Sequence, residues 1–304
     1  MEYYKILEDL HISSIGMGLF RLDDKTCEDV EGLLETALEE GINFIDLADI
    51  YANGKSEMLL GEVFAKKPEL REKFIIQSKC GICKGYYDLS KEYIISQVEE
   101  SIKLLNCEYL DILLLHRPDA LVEYKEVNEA FNYLYNKGLV KSFGVSNMNV
   151  MQIELYNKYL DHKIKYNQVQ LSIVHSHLIS EGIFVNMSEC ESPSRSGGMI
   201  EYSMLNDISL QAWSPIMASW EDGTFIDNPK YEKLNQVLEQ LAIKYNVSKN
   251  AIAVSFILRH PANIMPILGT TSKVHLLEML KAENIKLTKE EWYSLYLSSG
   301  HLLP

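Results

Sequence analysis

Asp46, Tyr51, Lys79 and His116 are a carboxylate, a phenol, an amine and an imidazole whose types suit one piece of chemistry, the protonation of a carbonyl oxygen as negative charge builds on it. A tyrosine with its ordinary pKa of about 10 is a poor acid at neutral pH, and an ammonium within hydrogen-bond distance favours the phenolate and lowers that value. Lys79 then needs a carboxylate to hold its charge and position, which Asp46 can supply. Tyr51 becomes a phenol able to give its proton, and His116 a second donor that orients the carbonyl. Each residue alone has a plainer reading: a strand-end Asp is commonly a turn or cap residue, a loop Tyr a surface aromatic, a Lys an ion-pair partner. Function is read from the set rather than from any one member.

Such a set moves a proton but offers no electrons, so a reduction also needs a hydride donor. Ser146, Asn147 and Gln168 are three neutral hydrogen-bonding side chains suited to an amide such as the nicotinamide carboxamide. Trp213, followed by Ser214, offers a flat face for a nicotinamide ring. Gly269, Thr270, Thr271 and Ser272 stand ahead of an expected helix N-terminus, where backbone N–H groups and the helix dipole favour a phosphate.

These residues are far apart in sequence, yet each closes a strand-like run. Asp46 closes FIDLADIY, Lys79 FIIQSK, His116 LDILLLH, Ser146 and Asn147 SFGVSN, Gln168 and Gln170 YNQVQLS, Trp213 and Ser214 LQAWSP, and Gly269 and Thr270 IMPILGT. In a (β/α)8 barrel every strand points its C-terminal end at one face, so residues so placed converge on one site. Helix-like runs alternate with these strands. Thr26 to Glu40, Ser90 to Leu105, Glu123 to Asn136, Asn149 to Tyr159, Pro229 to Tyr245, Lys249 to Arg259 and Lys273 to Lys281 read as helices, and Thr288-x-x-Glu291 opens a last one with a capping pattern. His175 to Gly198 reads as a longer loop or partly helical insertion, and Ile6 to Ile12 as a hairpin at the barrel bottom. The expected fold is α/β, a (β/α)8 TIM barrel with extra helices outside the barrel.

Composition bounds the partners. The 304 residues, 47% hydrophobic and 24% charged, suffice for one large core. With 43 acidic against 29 basic side chains and a net charge of −14, nucleic acid and anionic membrane are excluded as expected partners. Five scattered cysteines and a polar, charged start without a secretory leader point to a reducing, cytoplasmic setting. Cys80-Gly-Ile-Cys83 lacks a second pair, and His175-Ser-His177 lacks a third ligand, so no metal is expected.

The segments GINFIDLADIY, IIQSKCG, YLDILLLHRPD, GLVKSFGVSN, NQVQLS, AWSP and PILGTTSKVHLLEMLKA resemble, in order and along nearly the whole chain, the aldo-keto reductases. The ending WYSLYLSSGHLLP is similar to a bacterial YdhF-like branch of oxidoreductases. The resemblance implies one domain over residues 1–304, an NADP-dependent oxidoreductase reducing aldehydes or ketones, the four catalytic residues above with Tyr51 as proton donor, and NADP(H) extended across the barrel mouth. By position, GLFR supplies Gly18 for close backbone approach to the cofactor and Arg21 for the pyrophosphate. Phe20 joins Tyr51 and His116 on the substrate side. Trp213 stands where tyrosine or phenylalanine is commoner, and His275 where arginine is common, which leaves Lys273 as the substitute cation for a 2′-phosphate. Glu278 matches the family's adenine-side acid, followed by Met279 where asparagine is frequent. NAD(H) therefore stays open beside NADP(H). The expected partner is a small carbonyl substrate, and the expected state a monomer or small homo-oligomer. Loops around Tyr86, Tyr87 and Trp220 are expected to shape the substrate pocket. A nicotinamide-binding redox sensor or regulatory subunit with little turnover is the alternative, and a sugar-phosphate isomerase or lyase on the same barrel is the other rival.

Overall fold

The computed structural model describes residues 1–7, 10–185, 187 and 197–304. Eight parallel strands close into a barrel: β1 (Gly16–Gly18), β2 (Phe44–Asp46), β3 (Ile75–Cys80), β4 (Leu110–Leu115), β5 (Val140–Ser146), β6 (Tyr166–Gln170), β7 (Ser209–Trp213) and β8 (Met265–Leu268). Each strand pairs with its neighbour in sequence, and β8 closes on β1 through Ile267 opposite Gly16.

Helices cover the barrel: α1 (Cys27–Glu39), α2 (Lys55–Lys66), α3 (Lys91–Leu104), α4 (Tyr124–Asn136), α5 (Val150–Tyr159), α6 (His177–Ile183), α7 (Met199–Leu205), α8 (Glu232–Tyr245), α9 (Lys249–Leu258), α10 (Lys273–Leu280) and α11 (Lys289–Ser298). Thr26, Asn149 and Thr288 open α1, α5 and α11 with reciprocal capping boxes, in which the side chain satisfies a first-turn N–H that has no intrahelical partner. The expected helix over Pro229 to Tyr245 divides into a 3-10 turn, Pro229–Tyr231, and α8.

Two helices differ from the sequence expectation. The sequence reading passes over α2, whose pattern Gly61 interrupts. That glycine is there for packing, because a Cβ on it would lie 1.9 Å from the Leu104 carbonyl oxygen of α3. The insertion after β6 contains α6 and is followed by α7, while residues 186 and 188–196, with Cys190, lie outside the described residues.

Alternation along the strands sorts the interior from the helical shell. Ile45, Ile76, Leu113, Leu115, Phe143, Val145, Ala212 and Leu268 face outward into the main core. Phe44, Ile75, Ile112, Leu114, Tyr166, Met265 and Ile267 face inward and pack with Ile12 into a separate plug. Ile12 comes from the antiparallel pair Tyr3–Leu7 and Leu10–Ser13, which precedes the barrel and takes in more of the chain than the hairpin expected over Ile6 to Ile12; residues 8–9 lie outside the described residues. Gly144 makes the plug fit, since a Cβ there would meet Leu114 Cδ2 at 2.6 Å and the Tyr166 carbonyl oxygen at 2.7 Å. A packed interior leaves no pore, so the inward positions nearer the C-terminal strand ends carry the polar residues.

Candidate active site

Continuing the inward register by two residues from the apolar plug gives Asp46 on β2, then Gln77 and Lys79 on β3, Gln168 on β6 and Gln211 on β7, all buried. The three glutamines form a layer between plug and mouth. Gln77 Nε2 donates to Gln211 Oε1 at 2.8 Å, Gln211 Nε2 returns a bond to Gln77 Oε1 at 2.9 Å, and Gln168 Nε2 donates to Gln211 Oε1 at 3.0 Å. Asp46 Oδ1 accepts from Gln77 Nε2 at 2.6 Å and Gln168 Nε2 at 2.9 Å. Buried polar groups are tolerable only when satisfied, and this layer satisfies the carboxylate from below.

Above the layer, Lys79 Nζ reaches Asp46 Oδ2 at 2.7 Å, the Leu47 carbonyl oxygen at 2.7 Å and Tyr51 Oη at 2.9 Å. Its three donors are thereby spent in one fixed geometry. The loop that carries Tyr51 is pinned to β3 by Leu47 N–H on the Gln77 carbonyl at 2.8 Å and Asp49 N–H on the Lys79 carbonyl at 3.0 Å. It turns sharply after the tyrosine: Ala52 and Asn53 hold φ of 49° and 55°, a left-handed conformation that costs a non-glycine residue roughly 1–2 kcal/mol. His116 follows β4, its ring centroid 6.0 Å from that of Tyr51.

The electrostatics modify the sequence reading. Burial pushes the Tyr51 phenol up, and Lys79, acting against it, does not cancel the rise, so the ammonium does not by itself bring the free site's phenol below its ordinary value. Burial also opposes the charge of Lys79, but Asp46 and Tyr51 outweigh it and raise the ammonium's pKa. Burial, with Lys79 and Arg117 nearby, holds His116 well below the ordinary imidazole range. His116 is therefore a neutral ring. Its Nδ1 is buried without a partner among the described residues, and since an orphaned N–H is rarer than an orphaned acceptor, the proton belongs on Nε2.

A cavity of about 600 Å³ opens over this set. Tyr51, His116, Phe20 and Asp46 line one part, and Gly18, Arg21, Ser146, Asn147, Gln168, Trp213, Ser214, Gly269 and Thr270 also line it. Ser146 and Asn147 are already engaged: Asn147 Nδ2 donates to Ser146 Oγ at 2.7 Å, Ser146 Oγ donates to the Gln168 carbonyl at 2.9 Å, and Trp213 Nε1 donates to Asn147 Oδ1 at 3.1 Å. They hold one another and Trp213 in place. Trp220 leans over the cavity, 6.4 Å from Phe20 and 6.2 Å from Trp213 between ring centroids.

Three expected cofactor residues, Thr271, Lys273 and Glu278, do not line the cavity, whereas His275 and Met279 of α10 do. Lys273 points away toward α1: a Cβ on Gly32 would lie 2.4 Å from its Nζ. Tyr86 and Tyr87 are also absent from the lining, although Ile82 of the same short hairpin contributes. Sequence reasoning missed Gln77, Gln211 and Arg117. The glutamines were legible by parity, lying two residues before Lys79 and Trp213 on the same strand face.

Asp49, half-buried on the Tyr51 loop, and Glu57, buried on α2, are two acids whose charges act on one another. Burial first, and then the charge of Glu57, pushes the Asp49 carboxyl up to about 7. Burial raises Glu57 too, which accepts from Ser78 Oγ at 2.6 Å. Cys80 is a buried free thiol raised well above its ordinary value by burial, which disfavours the reactive thiolate, and Cys27, Cys83 and Cys107 are also free. Among the described residues no cluster of three metal-ligating side chains occurs, and no helix is long and apolar enough to cross a membrane.

The model of the Aldo/keto reductase family matches residues 14–296. The chain is 29% identical to the oxidoreductase YdhF of Escherichia coli, over 92% of this chain and 91% of that protein. It is 28% identical to the 6-dehydroglucose reductase of Agrobacterium fabrum, over 97% of each. The crystal structure of the thermostable aldo-keto reductase Tm1743 with the inhibitor epalrestat superposes with a TM-score of 0.78 at 25% identity, covering 98% of this chain and 100% of that one.

Proposed function

The chain belongs to the aldo/keto reductase family, and from that premise we propose that it is a single-domain NAD(P)H-dependent reductase of aldehydes or ketones in which Tyr51 supplies the proton. The observation that carries this reading is the shared ammonium: Lys79 Nζ contacts the Asp46 carboxylate at 2.7 Å and the Tyr51 phenol at 2.9 Å beneath a cavity that continues past Trp213 to Gly269. A carbonyl oxygen bonded to Tyr51 Oη and His116 Nε2 is polarised by two donors before any charge moves.

When bound, a reduced nicotinamide supplies the hydride that the side chains cannot. The residues present fit such a group. Trp213 offers an aromatic face fixed through Asn147, and Gln168, whose Nε2 is spent on Asp46 and Gln211, keeps Oε1 for a carboxamide N–H. At the far end Gly269 has open space where a side chain would stand, and the Arg21 guanidinium lines the same cavity. The family resemblance favours NADPH, and the position of Lys273 leaves NADH as an equal candidate.

As the carbonyl carbon takes the hydride pair, the oxygen becomes basic and Tyr51 gives it the phenolic proton. Lys79 stabilises the phenolate left behind, and Asp46 keeps Lys79 charged and in place. The alcohol leaves, and Tyr51 is reprotonated from solvent through the cavity mouth. The substrate in the Agrobacterium relative's name, 6-dehydroglucose, is itself a carbonyl compound, which agrees with this reaction class.

Tyr51→Phe tests the assignment. Turnover of small aldehydes should fall by about 10²- to 10⁴-fold, the usual size of a general-acid contribution, while NADPH and NADH titrations followed by tryptophan fluorescence stay close to wild type. Turnover surviving in the variant removes Tyr51 from the role.

A further inference from the structure

Two guanidiniums line the cavity, Arg21 and Arg117, and neither makes a hydrogen bond or ion pair with the described residues. Arg21 is exposed, whereas Arg117 is half-buried. In a chain of 43 acidic residues and net charge −14, a half-buried guanidinium left without a carboxylate is open to a partner from outside the chain, because taking a charge from water is costly unless it is paired. The nearby acids are engaged elsewhere, Asp46 with Lys79 and Asp119 with the Leu121 N–H at 2.8 Å.

Topology separates the tasks of the two arginines. Arg21 follows β1, beside β8 and the glycine and threonine that open toward α10. Arg117 directly follows His116 at the end of β4, four strands from β8 around a ring of eight and thus on the opposite side of the barrel. It stands at the reacting end: its Cζ lies 5.9 Å from the centroid of the Trp213 ring, and its charge acts on both Tyr51 and His116. Phe20, Trp220 and Ile82 supply apolar walls there. A guanidinium beside apolar walls suits a short carbon chain ending in a carboxylate, the acceptor that matches its planar fork.

Resting on the reductase reading above, we propose that Arg117 is the specificity-determining residue of the site and binds a carboxylate carried by the substrate, so that the preferred substrates are short oxo acids rather than neutral aldehydes. The unpaired charge then gains its partner only in the complex, with Tyr51 and His116 at one end of the substrate and Arg117 at the other.

Matched four-carbon aldehydes test this: succinic semialdehyde, butanal and 4-hydroxybutanal, with wild type, Arg117→Met and Arg117→Lys, each checked by circular dichroism and melting. The expected result is a wild-type kcat/KM for the oxo acid at least about tenfold above both neutral aldehydes, a preference lost in Arg117→Met and partly kept in Arg117→Lys, which has charge without the fork. Equal rates in wild type, a preference that survives Arg117→Met, or 4-hydroxybutanal matching the oxo acid would overturn the proposal. If the folded wild type reduces none of the three, the reductase reading fails separately. Fluorescence titration of Trp213 and Trp220 with 4-hydroxybutyrate and 1,4-butanediol then decides Arg117 alone: Arg117-dependent binding of the acid supports it, and equal binding of both rejects it.

Discussion

Gln168 on β6 donates through Nε2 to Oδ1 of Asp46 on β2, 2.9 Å away across the barrel interior and 122 residues away in sequence. The same nitrogen also donates to Gln211 at 3.0 Å. A residue proposed to face the cofactor thus helps to seat the carboxylate that seats Lys79, and the two parts of the site share one buried hydrogen-bond layer. Its keystone is Gln211, which both donates to and accepts from Gln77.

Replacing that keystone should therefore cost stability before chemistry. Gln211→Leu removes the donor to Gln77 Oε1 and the acceptor shared by Gln77 Nε2 and Gln168 Nε2, so that three buried bonds go and Gln77 Oε1 is left unpaired, a loss of at least about 1–3 kcal/mol. Asp46 keeps its bonds from Gln77, Gln168 and Lys79. Urea unfolding should show the shift at unchanged m-value, with turnover reduced less than in Tyr51→Phe. A change under about 0.5 kcal/mol would mean the layer is not coupled as its distances imply.

The pH dependence follows from the directions at Tyr51 and His116. With the phenol raised by burial, Tyr51 stays protonated through the neutral range, so carbonyl reduction should be flat there and fall only above the ordinary phenol pKa of about 10. Alcohol oxidation needs the phenolate and should rise over the same alkaline range. His116, held well below the imidazole range, should add no inflection near its ordinary value. Profiles of kcat/KM in both directions check this, and an inflection near neutrality that vanishes in His116→Asn would contradict the neutral ring.

Asp49 gives a separate signature in stability. Its folded-state pKa is raised to about 7 from 3.8, mainly by burial. The folded state therefore holds a proton that the unfolded chain releases, and stability from this group is full below the unfolded value and lost as pH rises through about 7. Asp49→Asn keeps a neutral side chain at every pH. Its melting temperature relative to wild type should rise between pH 5 and pH 8, and a constant difference would show that Asp49 is ionised in the fold throughout.

The barrel and the mouth were legible because strand ends are marked by an abrupt change from Ile, Leu and Val to single polar residues, and closure turns that marking into a shared site. What the chain did not announce were contacts that only closure creates. Gln77 and Gln211 are 134 positions apart, and although strand parity puts each on the inward face, nothing local says that the two meet. The strained turn at Ala52 and Asn53 was only half legible: Asn53-Gly54 is a turn signal, but Ala52 does not favour φ above zero as glycine does. The direction of Lys273 was not legible either, because a lysine near a helix start reads the same whether it leans over the cavity or, as here, toward Gly32.

That last geometry bears on cofactor choice. His275, on the first turn of α10, lines the cavity, while Lys273 leans toward Gly32 of α1 and feels the Glu35 carboxylate. A 2′-phosphate at this end would then meet an imidazole in place of a fixed cation, whereas arginine offers a planar fork for phosphate oxygens. His275→Arg should raise affinity for NADPH relative to NADH by about tenfold, the effect of roughly 1.4 kcal/mol from one charge-assisted pair. Parallel fluorescence titrations of wild type and variant measure that ratio without turnover. A wild type already favouring NADPH strongly, with no gain in the variant, would show that another cation swings into the site, and Lys273→Ala would then abolish the preference if the swinging group is Lys273.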